Sequence, residues 1–273
     1  MAIRMIALDL DGTTLNSSGH VSEHTREVLE KAIRNGVQVV VSTGRCYTSI
    51  PAEVLSIEGL NYTISSNGAI ITDLREDQVF YSNCVEHAAV RKAIQLVDEY
   101  GLTLEAFWGG RAYIDRTIYD FIRDGGIYNR NPEYVLSTRT PIEHIYKAME
   151  ENINRIENIN ICFPSTDRLE ELKDIFMEIP DATITSSFRY NLEVGGPSTS
   201  KRNALETLID RLGISREELM CCGDAPNDIE MIKFAGIGVA MGNAWGDTKE
   251  YADYVTATND EDGVAKAVEK FVL

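Results

Sequence analysis

Two aspartates near the start of the chain combine residue type and spacing that suit acid–base or metal chemistry. Asp9 continues the apolar run Met5–Leu8, and Asp11 follows two residues later. Side chains at positions i and i+2 of an extended segment point to the same side, so we expect these carboxylates to lie close together. Such a pair repels itself unless a cation or a shared proton relieves it. A turn at Asp11-Gly12 is the alternative, but it does not explain an aspartate within an apolar run.

A second acidic pair, Asp224 and Asp228, follows the apolar segment Leu219–Cys222. Asp224 ends a predicted strand in the same way as Asp9. Asp228 has an alternative interpretation as the N-cap of a helix that begins at Ile229. Oxygen ligands without Cys or His favour a hard ion, so the metal we expect is Mg²⁺ rather than Zn²⁺.

A third polar segment, Ser42-Thr43-Gly44-Arg45, follows the apolar run Val37–Val41. The Thr43 hydroxyl and the Gly44 backbone N–H suit phosphate oxygens. The same residues are also ordinary in loops, so this segment alone is a weak signal. Arg45 would either add positive charge or be solvated.

Lys201 and Arg202 open a predicted helix, with Ser198, Thr199 or Ser200 as its cap. Cations in the first turn oppose the helix dipole, at a cost of about 0.3–1 kcal/mol each. A broken local rule near other candidate site residues suggests a function for Lys201. The alternative is a solvated surface lysine.

The overall charge makes a local cation necessary at any phosphate site. The chain has 273 residues, 43 acidic against 26 basic, and a net charge of −17. This charge disfavours nucleic acid and anionic membranes as partners and would repel a phosphorylated substrate. We predict a cytoplasmic protein, because the start lacks a signal-peptide pattern, no apolar stretch is long enough to span a membrane, and the five cysteines lack disulfide or zinc spacing.

Alternating strands and helices in both terminal thirds predict an α/β fold with a Rossmann-like parallel-sheet core. We assign 1–84 and 190–273 to this core and 85–189 to an inserted α+β domain, which includes a predicted hairpin of Leu102–Trp108 and Ala112–Asp115. Ligands of open α/β sheets bind outside the carboxyl ends of the strands. The polar residues that fall at these ends are Asp9, Asp11, Thr43, Asn67, Asp224 and Asp228.

These motifs together resemble the haloacid dehalogenase superfamily, in its Cof-like phosphatase branch with a type IIB cap. The resemblance covers essentially the whole chain, and the ordered set is very specific. The four motifs are Asp9-Leu10-Asp11-Gly12-Thr13, Thr43-Gly44-Arg45, Ser200-Lys201, and Gly223-Asp224 with Asn227-Asp228. Arg202 departs from a frequent glycine, and it does not touch a reacting group.

The resemblance implies a role for each matched residue. Asp9 would attack phosphorus and form an aspartyl-phosphate, while Asp11 would protonate the leaving alkoxide and later take a proton from water. The implied Mg²⁺ ligands are Asp9, the Asp11 carbonyl and Asp224, with Asp228 close by or acting through water. The implied contacts to the phosphoryl group come from Leu10, Thr43, Gly44, Lys201 and Asn227.

The resemblance therefore implies a phosphatase of small phosphorylated metabolites, with sugar phosphates as the favoured class. A phosphomutase or phosphotransferase using the same Asp9 chemistry is an alternative, and a non-catalytic binding module is a weaker one. We predict a monomer or a small homo-oligomer. The identity of the natural substrate stays open, because the inserted domain would select it.

Overall fold

A computed structural model describes residues 2–128, 130–165 and 169–273. The strands are β1 (Met5–Leu8), β2 (Gln38–Ser42), β3 (Tyr62–Ser65), β4 (Ile70–Asp73), β5 (Gln78–Ser82), β6 (Thr103–Trp108), β7 (Arg111–Asp115), β8 (Arg139–Ile142), β9 (Ile156–Cys162), β10 (Thr183–Thr185), β11 (Asn191–Gly195), β12 (Leu219–Gly223), β13 (Ile237–Ala240) and β14 (Tyr254–Val255). The helices are α1 (Glu23–Arg34), α2 (Ala52–Leu55), α3 (His87–Glu99), α4 (Arg116–Arg123), α5 (Pro132–Thr138), α6 (Ile145–Glu151), α7 (Leu169–Met177), α8 (Lys201–Leu212), α9 (Ile229–Phe234) and α10 (Gly263–Phe271).

The first of two compact units comprises Met1–Arg45, Ile50–Tyr81 and Ser200–Leu273. Its sheet has the strand order β14-β13-β12-β1-β2-β3-β4-β5. All neighbours from β14 to β3 are parallel, whereas β4 pairs antiparallel with β3. The α/β fold predicted from the sequence is therefore confirmed, and its parallel strands end on one common edge.

The central strands of this sheet are apolar because both of their faces are covered. All four residues of β1 are buried, as expected for a strand inside a parallel sheet. Met5 and Ala7 pack into a core with the apolar face of α8, and burying each large aliphatic side chain contributes about 1.5–3 kcal/mol. The α8 side of this core comprises Ala204, Leu205, Leu208 and Ile209.

Local signals fix the ends of two helices in this unit. The Ser22 hydroxyl accepts a hydrogen bond from the Thr25 N–H at the start of α1, and Gly36 takes a positive φ just after its end. Of the three candidate caps for α8, Ser200 is the one that accepts, from the Asn203 N–H at 3.1 Å. The cap places Lys201 at the first position of α8.

The second unit comprises Cys46–Ser49 and Ser82–Thr199. Its sheet has the order β10-β11-β9-β6-β7-β8, in which every neighbouring pair is antiparallel except β7 and β8. The predicted hairpin is present as β6 and β7. One face of the sheet packs against α3, α6 and α7 around residues such as Val90, Met149, Ile159 and Phe176.

The predicted division into 1–84 with 190–273 and 85–189 stays a prediction. The strand Asn191–Gly195, which we had assigned to the core, pairs with β9 and β10 in the sheet of the second unit.

Candidate active site

The first unit brings three predicted site residues to the carboxyl edge of its sheet. Asp9 follows β1, Thr43 follows β2 and Asp224 follows β12, and these three strands are neighbours. The Asp9 N–H still donates to the Cys222 carbonyl at 3.0 Å, which continues the β1–β12 ladder as far as Asp9. Asp9 and Asp224 are each only 6% exposed, so the edge is a buried polar site.

Three carboxylates meet at this edge. Asp9, Asp224 and Asp228 each place an oxygen within 4.8 Å of the others. Burial raises the pKa of Asp9 well above its usual value, despite the nearby charge of Lys201. Burial and the charge of Asp228 raise the pKa of Asp224 to about 7. The ionised cluster is therefore destabilised in the protein alone, and a further cation would stabilise it.

The donor set of this cluster fits a hard divalent ion. All three residues offer carboxylate oxygens, and hard cations such as Mg²⁺ prefer oxygen ligands. Neither histidine nor cysteine belongs to the cluster, which disfavours zinc.

Lys201 supplies one positive charge to the cluster. Its side chain is fully buried, and its Nζ donates to Asp9 Oδ1 and to Asp228 Oδ1, both at 2.6 Å. Burial alone would lower the pKa of Lys201, but the carboxylates of Asp228 and Asp9 raise it overall, so the ammonium stays charged. The alternative of a solvated surface lysine is therefore wrong.

Asp228 does not cap α9 with its side chain, which was the alternative interpretation of this residue. Its Oδ2 accepts hydrogen bonds from the backbone N–H groups of Asp224 at 2.9 Å and Ala225 at 3.0 Å, while Oδ1 binds Lys201. The fully buried Asp228 carboxylate thus orients the segment after β12 and the lysine together.

Asp11 is not a member of the buried cluster of Asp9, Asp224 and Asp228. Its side chain is 60% exposed and is held by Arg45, which donates from Nε to Oδ2 at 2.8 Å and from Nη2 to Oδ1 at 2.7 Å. Arg45 is therefore a partner of Asp11 rather than a solvated residue. Gly12, the residue after Asp11, has φ +78°, and a Cβ there would lie 2.5 Å from Asp224 Oδ2. Only glycine fits this turn without displacing the Asp224 carboxylate.

The remaining predicted phosphate-binding residues surround this edge. Thr43 is buried, and its Oγ1 accepts from the Arg45 N–H at 3.1 Å. Gly44 follows it in the same loop. Leu10 has a fully buried side chain, and Asn227 lies in the turn Pro226–Asp228 before α9.

Several polar residues hydrogen-bond to site residues, although the sequence had predicted no role for them. Thr13 Oγ1 donates to Asp224 Oδ1 at 3.0 Å, and Thr14 Oγ1 donates to the Asp9 carbonyl at 2.6 Å. Asn243 Nδ2 donates to the Gly12 carbonyl at 2.7 Å. Thr13 is part of the first motif, so its position was visible in the sequence, but its partner could be found only in the structure.

None of the helices within the described residues is both long and apolar enough to cross a membrane.

Comparison with known proteins identifies the family. The model of haloacid dehalogenase-like hydrolases matches residues 6–268. Phosphatase YwpJ of Bacillus subtilis is 34% identical, over 96% of this chain and 98% of its own length. The 5-amino-6-(5-phospho-D-ribitylamino)uracil phosphatase YcsE of the same organism is 31% identical, over 99% of this chain and 96% of its own.

Solved structures agree with these relatives. A haloacid dehalogenase-like hydrolase from B. subtilis has a TM-score of 0.83 and 32% identity, covering 99% of this chain and 100% of that one. The subclass IIB sugar phosphatase BT4131 has a TM-score of 0.82 and 25% identity, covering 98% of each chain. The resemblance recognised from the motifs is confirmed: the chain belongs to the haloacid dehalogenase-like hydrolase family and is an enzyme of its phosphatase group.

Proposed function

We propose that this enzyme hydrolyses small phosphorylated metabolites, with sugar phosphates as the favoured class, by a Mg²⁺-dependent reaction in which Asp9 is the nucleophile. The observation that carries the proposal is the contact of buried Asp9 with Lys201, beside the carboxylates of Asp224 and Asp228. A carboxylate so placed is fixed in position and needs a cationic partner to stay ionised.

The three buried carboxylates would hold Mg²⁺, together with the backbone carbonyl of Asp11. When bound, the ion would offset the excess negative charge of the site and favour the approach of a phosphate ester. Asp228 would contribute either directly or through water. Thr13 would orient Asp224 by its hydrogen bond.

In the first step, an oxygen of Asp9 forms a bond to phosphorus while the bond from phosphorus to the ester oxygen breaks. Asp11 gives its proton to the departing alkoxide, so it must be protonated and leave the ion pair with Arg45 before this transfer, because that pair stabilises the ionised carboxylate. In the second step, Asp11 takes a proton from water, which attacks phosphorus and releases inorganic phosphate from Asp9.

Groups around the edge would bind the phosphoryl oxygens and stabilise charge as it develops. The Thr43 hydroxyl, the Gly44 N–H, the Lys201 ammonium and the Asn227 carboxamide can all donate hydrogen bonds. Leu10 would contribute through its backbone, because its side chain is fully buried and apolar. These donors would provide the local positive potential that a chain with a net charge of −17 requires.

The relatives support a small, hydroxylated substrate. YcsE is named for a phosphoribityl substrate and BT4131 is described as a sugar phosphatase. We also propose a cytoplasmic location, since all five cysteines are free thiols, as expected in a reducing compartment. A monomer or small homo-oligomer stays our prediction for the assembly.

The test is phosphate release from a panel of sugar phosphates and other phosphate monoesters, with MgCl₂ or with EDTA. We expect release by the wild type with Mg²⁺ only, and a loss of at least about 10³-fold in Asp9→Asn. Asp77→Asn is the matched control, because it makes the same change at an exposed residue in the turn before β5. Equal rates for Asp9→Asn and the wild type would refute the mechanism. Activity that needs a bisphosphate activator, with slow phosphate release, would indicate a phosphomutase instead.

A further inference from the structure

The turn Ser66–Gly68, which follows β3, has no role in the proposed reaction and yet contacts three segments that do. The backbone N–H of Ser66 donates to the Arg45 carbonyl at 2.8 Å, and that of Asn67 donates to the Thr43 carbonyl at 3.0 Å. The turn is therefore joined by hydrogen bonds to the loop that carries Thr43 and Gly44.

The backbone of this turn is strained in a way that its surroundings must maintain. Ser66 has φ 51° and Asn67 has φ 57°, two consecutive residues other than glycine in the left-handed region. Such residues cost free energy and persist where neighbouring contacts fix them, often at functional sites. Asn67 is also buried, with 4% of its surface exposed.

The turn also lies against the start of α8. A Cβ on Gly68 would lie 2.2 Å from the Ser200 carbonyl oxygen and 3.0 Å from the backbone nitrogen of Lys201. Glycine at this position thus allows the turn to approach the helix end that carries Lys201. A Cβ on Gly44 would meet Asn67 Oδ1 at 3.0 Å, so the same close fit exists on the side of the Thr43 loop.

The third contact joins two side chains. Asn227 Nδ2 donates to Asn67 Oδ1 at 2.9 Å, while Asn227 Oδ1 is buried without a hydrogen-bond partner among the described residues. A primary amide nitrogen has two N–H groups, and Asn67 uses one of them. The hydrogen bond therefore fixes the plane of the Asn227 carboxamide and leaves its second N–H as a donor.

We propose that Asn67 is a positioning residue of the phosphoryl site, which holds the Asn227 carboxamide so that its second N–H meets a phosphoryl oxygen. The inference rests on the proposed function only in taking Asn227 as a ligand of the phosphoryl group. The contacts of this turn with the Thr43 loop and the Lys201 helix end are made by its backbone and by Gly68, so Asn67→Gly retains them. Asn67 acts through Asn227 and does not itself touch the substrate.

The test is a double-mutant cycle of Asn67→Gly and Asn227→Ala, read as the dissociation constant of inorganic phosphate by calorimetry with MgCl₂. Glycine tolerates the positive φ of residue 67 and removes only the carboxamide. Each single variant should raise the dissociation constant about tenfold, the value of one hydrogen bond to the ligand. The double variant should bind as weakly as Asn227→Ala alone.

Additive effects in the double variant, or unchanged phosphate binding in Asn67→Gly, would overturn the proposal. Asp77→Gly is the matched control, because Asp77 also has a positive φ, of 48°, and lies in an exposed turn. In this turn the Leu74 N–H donates to the carbonyl of Asn61, which precedes β3, so the turn is at the end of β3 opposite to Ser66–Gly68. It should bind phosphate as the wild type does. Thermal unfolding of every variant shows whether the fold is retained.

If Asn67→Gly does not fold, Asn67→Ser replaces it in the cycle. Serine takes a positive φ at the neighbouring position 66, adds no charge and is one atom shorter than asparagine, so it loses the bond to Asn227 and its effect should still depend on Asn227. Independence of the two substitutions would again overturn the proposal. The proposed function can fail separately: in that case Asp9→Asn releases phosphate like the wild type, while the phosphate-binding cycle still tests Asn67.

Discussion

Each unit of this enzyme buries a group of charges, and the two groups are balanced in opposite ways. In the second unit, the fully buried Glu105 carboxylate meets Arg139 and Arg130, each at 2.7 Å, and also accepts from Asn160. In the first unit, one lysine meets two of three clustered carboxylates. The first unit thus has an excess of negative charge where the second has an excess of positive charge.

The direction of the pKa shifts shows what this difference means. Burial alone would raise the pKa of Glu105, but the Arg130 and Arg139 guanidiniums lower it overall. Burial and Asp228 raise the pKa of Asp224 to about 7 instead. The Glu105 group is complete as it stands and serves stability, whereas the carboxylate cluster calls for a further cation, as expected of a binding site.

Removing one cation from each group should give the largest effects and separate the two roles. We expect Lys201→Met to lower the free energy of unfolding by about 3–5 kcal/mol, since it leaves two buried carboxylates without their shared cation. Arg139→Met should cost less, about 1–3 kcal/mol, because Glu105 keeps its contact with Arg130. MgCl₂ should restore part of the loss in Lys201→Met and none in Arg139→Met. Urea unfolding with and without MgCl₂ measures both, and an equal response of the two variants to Mg²⁺ would contradict the comparison.

The pH dependence of stability should also differ between the groups. The pKa of Asp224 is higher in the folded protein than in the unfolded chain, so the folded state holds the proton more tightly. Without metal, the free energy of unfolding should therefore fall as the pH rises from about 4 to 7, by on the order of 3 kcal/mol. Asp224→Asn should reduce this slope, and Mg²⁺ should do the same. Urea unfolding in EDTA between pH 5 and 7 checks it, and a stability that does not change with pH would contradict it.

Glu105 should show the opposite sign. Its pKa is lowered in the folded protein, so its contribution is present above its unfolded pKa and is lost as the pH falls below that value. We expect Glu105→Gln to destabilise the protein by about 1–3 kcal/mol at pH 7 and by less at pH 4. Denaturant titrations at both pH values test this. A loss that is larger in acid than at pH 7 would show that the carboxylate does not stabilise the fold.

The smallest effect compares two helix caps in the first unit. Ser22→Ala and Ser200→Ala should each cost about 1 kcal/mol, because each removes one hydrogen bond to a helix N-terminus. Only Ser200→Ala should also lower kcat/KM, since α8 begins with Lys201. Thermal unfolding and phosphate release measure the two effects. Equal kcat/KM values in both variants would show that the cap of α8 does not position Lys201 for the reaction.

Local signals in the sequence were enough to predict the core strands, the α8 cap region and the chain positions of the acidic residues. The buried run Met5–Leu8 is typical of a parallel strand, and polar residues after such runs are informative because parallel strands end together. The antiparallel strand β4 was not predicted, because Ile70–Asp73 follows a turn whose positive φ values fall on Ser66 and Asn67 rather than on glycine alone.

The partners of the site residues could not be predicted, because they join segments distant in sequence. The bond of Lys201 to Asp9 spans 192 positions, and that of Asn227 to Asn67 spans 160. The pairing of Arg45 with Asp11 was also left open, since an arginine in a loop can equally be solvated. Spacing identifies which residues reach the edge of the sheet, and only the fold identifies which of them touch.

The most direct test of Asp9 as the nucleophile is to trap the covalent intermediate. Enzyme mixed with an accepted phosphate ester and MgCl₂ is quenched in acid within the first turnover, digested and analysed by mass spectrometry. The account predicts one phosphoryl group on the peptide that contains Asp9 and none in Asp9→Asn. A phosphoryl group on another residue, or rapid turnover without any phosphorylated peptide, would contradict it.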